Sequence, residues 1–163
     1  MIKIYKAVPT NTNFLRILYN CIKDNKEEYV DIDFDTVLEC RDNIFIAAKD
    51  EMLTEGIFGI IMCRRINISD VESKELLFHC QPHNIAYSVD VVYLDHPFSS
   101  SDERRIIFRS MIETNAASKK DAFILIRLPQ SYKELLEETL IEMGCYLSGA
   151  VNNTFIKPPI DIA

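Results

Sequence analysis

The stretch Ala122-Phe123-Ile124-Leu125-Ile126-Arg127-Leu128 decides the fold of this chain. This apolar run lies between the polar sequence Lys119-Lys120-Asp121 and Pro129. Short apolar runs of this kind are typical of strands whose sheet is covered on both faces. The sequence therefore predicts a buried strand over 122–128, with helices packed on both sides of its sheet.

Two amphipathic segments flank the predicted strand. Upstream, apolar residues recur at helical spacing, at Ile107, Phe108, Met111, Ile112 and Ala116. Downstream, Ser131-Tyr132-Lys133-Glu134 has the form of a capping box and predicts the start of a helix. Gly144 lies where a left-handed cap is expected at the end of that helix.

The N-terminal half adds strands before these elements. We expect an edge strand over 2–8, followed by two helices. The first helix carries Phe14, Leu15, Leu18 and Ile22 on one face, and the second starts near Asp35. A hairpin of strands 44–48 and 57–63 and a long strand over 85–94 are expected next. A last strand is expected over 154–156. The order predicts an α/β (α+β) fold: a mixed central sheet of six to seven strands flanked by about four helices. We expect one domain over 1–163.

Composition excludes several classes of protein. The chain carries 18 Lys and Arg against 25 Asp and Glu, a net charge of −7, which disfavours nucleic acid as a partner because phosphate contacts need clustered cations. No membrane-spanning run or targeting segment is expected. The five cysteines lie in apolar neighbourhoods, which favours buried free thiols and a cytoplasmic location over a disulfide framework.

Three short motifs accompany this order of elements. The hairpin contains Gly59, the long strand closes as Val92-Tyr93-Leu94-Asp95-His96-Pro97, and the last helix ends as Leu140-Ile141-Glu142-Met143-Gly144-Cys145. Across essentially the whole chain, the order and these motifs resemble the GCN5-related N-acetyltransferase (GNAT) family, in which the fourth strand often ends at a proline and the fourth helix ends as Tyr-Glu-Lys-Leu-Gly-Phe.

The resemblance implies acetyl-CoA as the cosubstrate and a primary amine as the acyl acceptor. It places the thioester at the backbone of Val92 and Leu94. The family's pyrophosphate loop, Arg/Gln-x-x-Gly-x-Gly/Ala, corresponds here to Ser99, Ser100, Ser101, Asp102, Glu103 and Arg104, a stretch without glycine. Serine hydroxyls and an arginine are able to bind phosphate at a helix N-terminus, whereas the two carboxylates are equally explained as helix caps.

Two residues are candidates for the base that deprotonates the amine. Asp90 interrupts an apolar strand, where a carboxylate is costly unless it is paired or functional. His96 follows the same strand and is alternatively a loop residue. The family's catalytic tyrosine corresponds to Leu140, and Tyr146 belongs to the following strand. We expect no metal at His79-Cys80-Gln81-Pro82-His83, because a structural zinc site needs four ligands.

Two functions remain open from the sequence. The first is an N-acetyltransferase acting on an amine-bearing small molecule or protein. The second is a catalytically inactive GNAT-fold protein, of viral or mobile-element origin, that acts through protein–protein contacts. The apolar character of the chain, which would support a homodimer through the C-terminal strands, favours the second function. An open cleft between the strands ending at Leu94 and starting at Ala122 favours the first, and a cleft filled by side chains favours the second.

Overall fold

A seven-stranded sheet organises the part of the chain that the computed structural model describes, namely residues 2–7, 12–24, 33–48, 57–67, 85–94, 100–147 and 153–160. The strands are β1 (Lys3–Lys6), β2 (Ile44–Ala48), β3 (Ile57–Ile66), β4 (Ile85–Leu94), β5 (Ala122–Arg127), β6 (Tyr146–Leu147) and β7 (Thr154–Lys157). The helices are α1 (Thr12–Lys23), α2 (Phe34–Glu39), α3 (Ser101–Ala117) and α4 (Gln130–Glu142). The predicted fold class is confirmed.

The sheet is mixed, and its order is β1-β2-β3-β4-β5-β7-β6. All neighbouring strands are antiparallel except β4 and β5, which run parallel because α3 carries the chain back across one face of the sheet. β1 lies at one edge, as its alternating sequence predicts, and the two-residue β6 lies at the other.

Alternation along the strands divides the core between the two faces. On β3, Ile61 and Cys63 join a cluster with residues of α3 and α4, whereas Ile60 and Met62 join a cluster with residues of α1 and α2. Gly59 lies beneath α3, where an added Cβ would stand 2.7 Å from the Met111 Cε. Helices therefore cover both faces, as the apolar character of the central strands predicts.

The bounds of several elements differ by one to three residues from the sequence-based expectation, and two of these differences have a clear physical cause. β3 extends to Ile66 rather than ending at Cys63, because Arg64 and Arg65 pair with Ser88 and Tyr87 of β4. The expected capping box at Ser131 is wrong: α4 begins at Gln130, after Pro129, and its cap has no side-chain hydrogen bond. Proline already has the backbone angle that a helix start requires, and the Pro129 carbonyl accepts from the Tyr132 amide at 2.9 Å.

The end of α4 forms the cap that the sequence predicts. Gly144 has a φ of +86°, its amide donates to the Ile141 carbonyl, and the Cys145 amide donates to the Leu140 carbonyl, each at 3.0 Å. These two bonds define a Schellman motif, in which a left-handed residue closes the last turn.

We expect Gly144→Ala to lower the free energy of unfolding by about 1 kcal/mol, because a Cβ disfavours the left-handed conformation. No atom lies within 4 Å of the added Cβ, so the cost is conformational rather than steric. Urea unfolding followed by circular dichroism measures it. Gly144→Asn is the control and should lose about half as much, because asparagine tolerates this conformation. An equal loss in both variants would contradict the argument.

Four cysteines in the described residues are free, and Cys40, Cys63 and Cys145 are buried. The expectation of buried free thiols is confirmed for these three, whereas Cys21 is half-buried and Cys80 lies outside the described residues. None of the helices in the described ranges has the length and apolar character needed to cross a bilayer.

Candidate functional site

The sheet opens between β4 and β5. The two strands pair from Ile85 with Ala122 to Val89 with Ile126, and no described residue of β4 beyond Val89 pairs with β5. The second half of β4 remains paired with β3 as far as Leu94, which lies opposite Gly59. Among the residues that the structure describes, no strand pairs with this half of β4 on its β5 side, and we call this opening the gap.

A β-bulge at Asp90 marks the start of this gap. Cys63 pairs with Val89 and Met62 pairs with Val91, so Asp90 is the extra residue of β4. A bulge bends its strand and increases the local twist, and such bulges are frequent next to active sites. The strand therefore turns away from β5 at the residue where their pairing stops.

Asp90 is held in an ion-paired cluster. Its Oδ2 accepts from the Arg64 Nε at 2.7 Å, and its Oδ1 accepts from the Ser88 hydroxyl at 2.6 Å and lies 3.4 Å from the Arg127 Nε. Burial opposes the charge on Arg64, but the hydrogen bond and the negative charge of Asp90 outweigh it and raise the Arg64 pKa. This geometry favours the role of a paired structural carboxylate, which the sequence had left as the alternative to a base.

Sequence reasoning missed the partners of Asp90. The available signal was the position of the arginines: Arg64 and Arg127 lie in largely apolar strands on the two neighbours of β4. A partly buried carboxylate on a central strand finds its counter-charges on the adjacent strands.

Tyr132 reaches across the gap from the first turn of α4. The Leu94 amide donates to the Tyr132 hydroxyl at 3.0 Å, and the hydroxyl donates to the Leu94 carbonyl at 3.2 Å. The Tyr132 side chain is fully buried in the cluster beneath α3 and α4. One hydroxyl therefore satisfies both backbone groups of Leu94, as a neighbouring strand does elsewhere in the sheet.

Tyr132 lies on the buried face of α4, together with Leu136, Thr139 and Leu140. Its bond to Leu94 was not predicted, because nothing in the sequence spacing relates two residues 38 positions apart.

The N-terminus of α3 is closed by its own side chains. Ser100 is the N-cap, and its hydroxyl accepts from the Glu103 amide at 3.2 Å. Asp102 pairs with Arg105 at 2.8 Å, and the Arg105 Nε donates to the Leu135 carbonyl of α4 at 3.1 Å. The cap predicted by the serines and acidic residues is confirmed, and Arg105 connects α3 to α4.

Several predicted site residues lie outside the described residues. These are His96 and Ser99, together with the possible metal ligands in 79–83. In the described part of the chain, no group of three His, Cys, Asp or Glu side chains is arranged to hold a metal ion. Leu140 is fully buried and offers no proton donor, and Tyr146 lies on the edge strand β6, where it is exposed.

A separate depression of about 370 Å³ opens at the other end of the parallel strand pair, beside Lys119. The Lys119 ammonium donates to the Asn115 Oδ1 at 2.7 Å and lies 5.1 Å from the centre of the Phe45 ring. Burial lowers the Lys119 pKa. These contacts give Lys119 a structural role, and a lysine just beyond the C-terminus of α3 also interacts favourably with the helix dipole.

Comparison with solved structures places this arrangement among known folds. Acetyl-CoA-bound NAA60 of Arabidopsis thaliana is 8% identical, with a TM-score of 0.61 over 96% of this chain and 97% of that one. The ribosomal-protein-S18-alanine N-acetyltransferase of Escherichia coli is 10% identical, with a TM-score of 0.60 over 100% and 96%. This chain has the GNAT fold. Coenzyme A-bound YlbP of Bacillus subtilis, an N-acetyltransferase, is 14% identical, with a TM-score of 0.57 over 98% and 97%.

At these identities the likeness establishes the GNAT fold and nothing finer. No protein-family model matches the chain, and no curated protein matches it.

The residues at the gap fit coenzyme A with one exception. The edge of β4 offers Leu94 backbone groups that suit an extended chain bearing amides, and the first turn of α3 offers amides and the Ser100 hydroxyl to an anion. The exposed carboxylates of Asp102 and Glu103 weaken that anion site. Tyr132 is the exception, because its hydroxyl occupies the Leu94 amide and carbonyl.

Proposed function

We propose that this protein is an N-acyltransferase that transfers an acetyl group from acetyl-CoA to a primary amine. The observation that carries the proposal is the backbone edge of β4, which loses its pairing with β5 at the bulge while the N-terminus of α3 follows close behind in the chain. The fold, which this chain shares with solved acetyltransferases, supports the proposal.

In this proposal, two parts of the chain hold the cosubstrate. The backbone of Val92 and Leu94 binds its amide-bearing arm, because alternate residues of a strand direct their backbone groups to the same edge. The segment 99–104 holds the pyrophosphate: Ser99, Ser100 and Ser101 donate hydroxyl hydrogen bonds, the amides of Ser101 and Asp102 at the start of α3 face the anion, and Arg104 supplies positive charge. Bound acetyl-CoA supplies an activated acetyl group as a thioester.

The chain's own chemical task is to accept a proton from the attacking amine. Of the two candidates, Asp90 is the less available in the described geometry, because its two carboxylate oxygens already accept hydrogen bonds from Arg64 and Ser88. We therefore assign the base to His96, whose neutral imidazole accepts a proton near neutral pH. Asp90 then serves to fix the bulge that opens the gap.

The acceptor is proposed as an amine-bearing small molecule or protein, which the net charge of −7 attracts. The proposed homodimer forms along β6, the edge strand whose Tyr146 and Leu147 are exposed. We also propose a cytoplasmic location without nucleic-acid or membrane partners, because of the acidic composition and the free cysteines.

Calorimetric titration with coenzyme A, on the full chain, tests the cosubstrate site through a matched pair of variants. Ser100→Asp and Ser100→Asn both preserve a good helix cap, but only aspartate adds a negative charge at the proposed pyrophosphate position. We expect the aspartate variant to weaken binding about tenfold and the asparagine variant to bind like the wild type. The absence of binding to the folded wild type at millimolar ligand would reject the proposal.

Transfer is then tested by offering the protein acetyl-CoA with a series of amines and measuring the release of the free coenzyme A thiol. His96→Asn should remove most of the turnover while leaving the affinity for coenzyme A unchanged, because the base acts on the acceptor. Turnover that survives this substitution would move the base to another residue.

The second candidate function, a catalytically inactive binding protein, is favoured by one observation. Tyr132 fills the position on Leu94 that an acyl donor needs, and a cleft filled by side chains is what this second function predicts. Failure of the wild type to bind coenzyme A would support this candidate, and capture experiments through the exposed edge at β6 would follow.

A further inference from the structure

The hydrogen bonds of Leu94 define a small docking position at the end of β4. A residue in a strand directs its amide and its carbonyl to the same side, and both groups of Leu94 point to Tyr132. Leu94 therefore presents one donor and one acceptor towards the gap, on the side away from its partner Gly59. An extended ligand that carries an amide matches this pair of groups as a further strand would.

Tyr132 satisfies the same pair of groups with a single atom. Its hydroxyl accepts at 3.0 Å and donates at 3.2 Å, and the side chain that carries it is fully buried. A hydroxyl is suited to this because it is both donor and acceptor. A ligand amide and the Tyr132 hydroxyl are therefore mutually exclusive at Leu94.

We propose that Tyr132 is a latch on the acyl-CoA site: it closes the Leu94 docking position in the free protein and must leave that position before the cosubstrate binds. The proposal rests on the proposed function, since it assumes that coenzyme A enters the gap. The apparent affinity for coenzyme A is then the intrinsic affinity multiplied by the fraction of molecules in which the latch is open. A change that weakens the latch increases this fraction and so raises the apparent affinity.

The test compares Tyr132→Phe with the wild type by titration with coenzyme A. Phenylalanine keeps the ring but removes both hydrogen bonds, so we expect its dissociation constant to fall about tenfold. Tyr146→Phe is the matched control: it removes the hydroxyl of an exposed tyrosine on β6, and its affinity should equal that of the wild type. Circular dichroism verifies that each variant is folded.

Hydrogen exchange at the Leu94 amide supplies a second measurement, which does not depend on affinity. In the free protein this amide should be protected in the wild type and exchange faster in Tyr132→Phe, and coenzyme A should restore its protection in the variant. If Tyr132→Phe does not fold, the ring signals of Tyr132 in the wild type serve instead, and they should shift as coenzyme A displaces the side chain.

The outcomes separate the two proposals. If folded Tyr132→Phe binds coenzyme A no more tightly than the wild type, the latch is overturned and the proposed function stands. The same conclusion follows if the Tyr132 ring signals of the wild type do not change at saturating coenzyme A. Binding of coenzyme A by the wild type, with tighter binding by Tyr132→Phe, supports both the proposed function and the latch. Failure of both proteins to bind overturns the proposed function and the latch with it.

Discussion

Replacing Asp90 with alanine should destabilise the fold rather than remove one catalytic step. The substitution leaves the Arg64 and Arg127 guanidinium groups without the carboxylate that they share, at the bulge of a central strand. Breaking a buried ion pair costs about 3–5 kcal/mol, and the cost falls when solvent reaches the partners. The Asp90 side chain is 18% exposed and that of Arg64 is 41% exposed, so we expect a loss of about 2 kcal/mol in the free energy of unfolding.

Chemical unfolding measures this loss, and a surface pair provides the control. Asp102 also pairs with an arginine at 2.8 Å, but its side chain is 89% exposed, and Asp102→Ala should therefore change stability little. Asp90→Asn keeps the shape and an acceptor oxygen, and should lose less than Asp90→Ala. A fully stable Asp90→Asn protein that binds coenzyme A but has no turnover would show instead that Asp90 is the base.

The central and C-terminal elements were predictable because their signals are local. The strand over 85–94 has the predicted bounds, and Gly144 caps α4 as the sequence indicates. Both predictions depend on short-range physics: apolar runs give strands, and a glycine just beyond a helical stripe gives a left-handed cap. The capping box failed because a competing local signal, the fixed backbone angle of Pro129, starts the same helix one residue before Ser131.

The site itself was predictable only in part. The Ser100 cap is a local feature, and the sequence predicts it correctly. The bulge at Asp90, its arginine partners and the contact between Tyr132 and Leu94 join distant segments, and they depend on the register of strands that a single sequence does not encode locally. The ion-paired cluster around Asp90 and the contact between Tyr132 and Leu94 can therefore be recognised only once the pairing of the strands is known.

Alkaline pH should unfold this protein through its buried thiols. Burial raises the pKa of Cys40 from 9.0 to about 12, with Asp90 adding to the shift, and it raises the pKa values of Cys63 and Cys145 to about 11. Between pH 9 and the raised pKa of each thiol, the unfolded chain has lost thiol protons that the folded protein retains. The unfolded state therefore binds fewer protons, and the free energy of unfolding falls as the pH rises above 9.

The contribution of Cys40 can be isolated by substitution. Each buried thiol lowers stability by at most about 1.4 kcal/mol per pH unit within its window, so the shift at Cys40 amounts to an upper bound of about 4 kcal/mol by pH 12. Cys40→Ala should be less stable than the wild type at pH 8, where the buried side chain still packs as a small apolar group. That difference should narrow steadily above pH 9, because only the wild type loses the Cys40 contribution. A difference that stays constant from pH 8 to pH 11, measured by urea unfolding, would show that this thiol ionises as readily in the folded protein as in the unfolded chain.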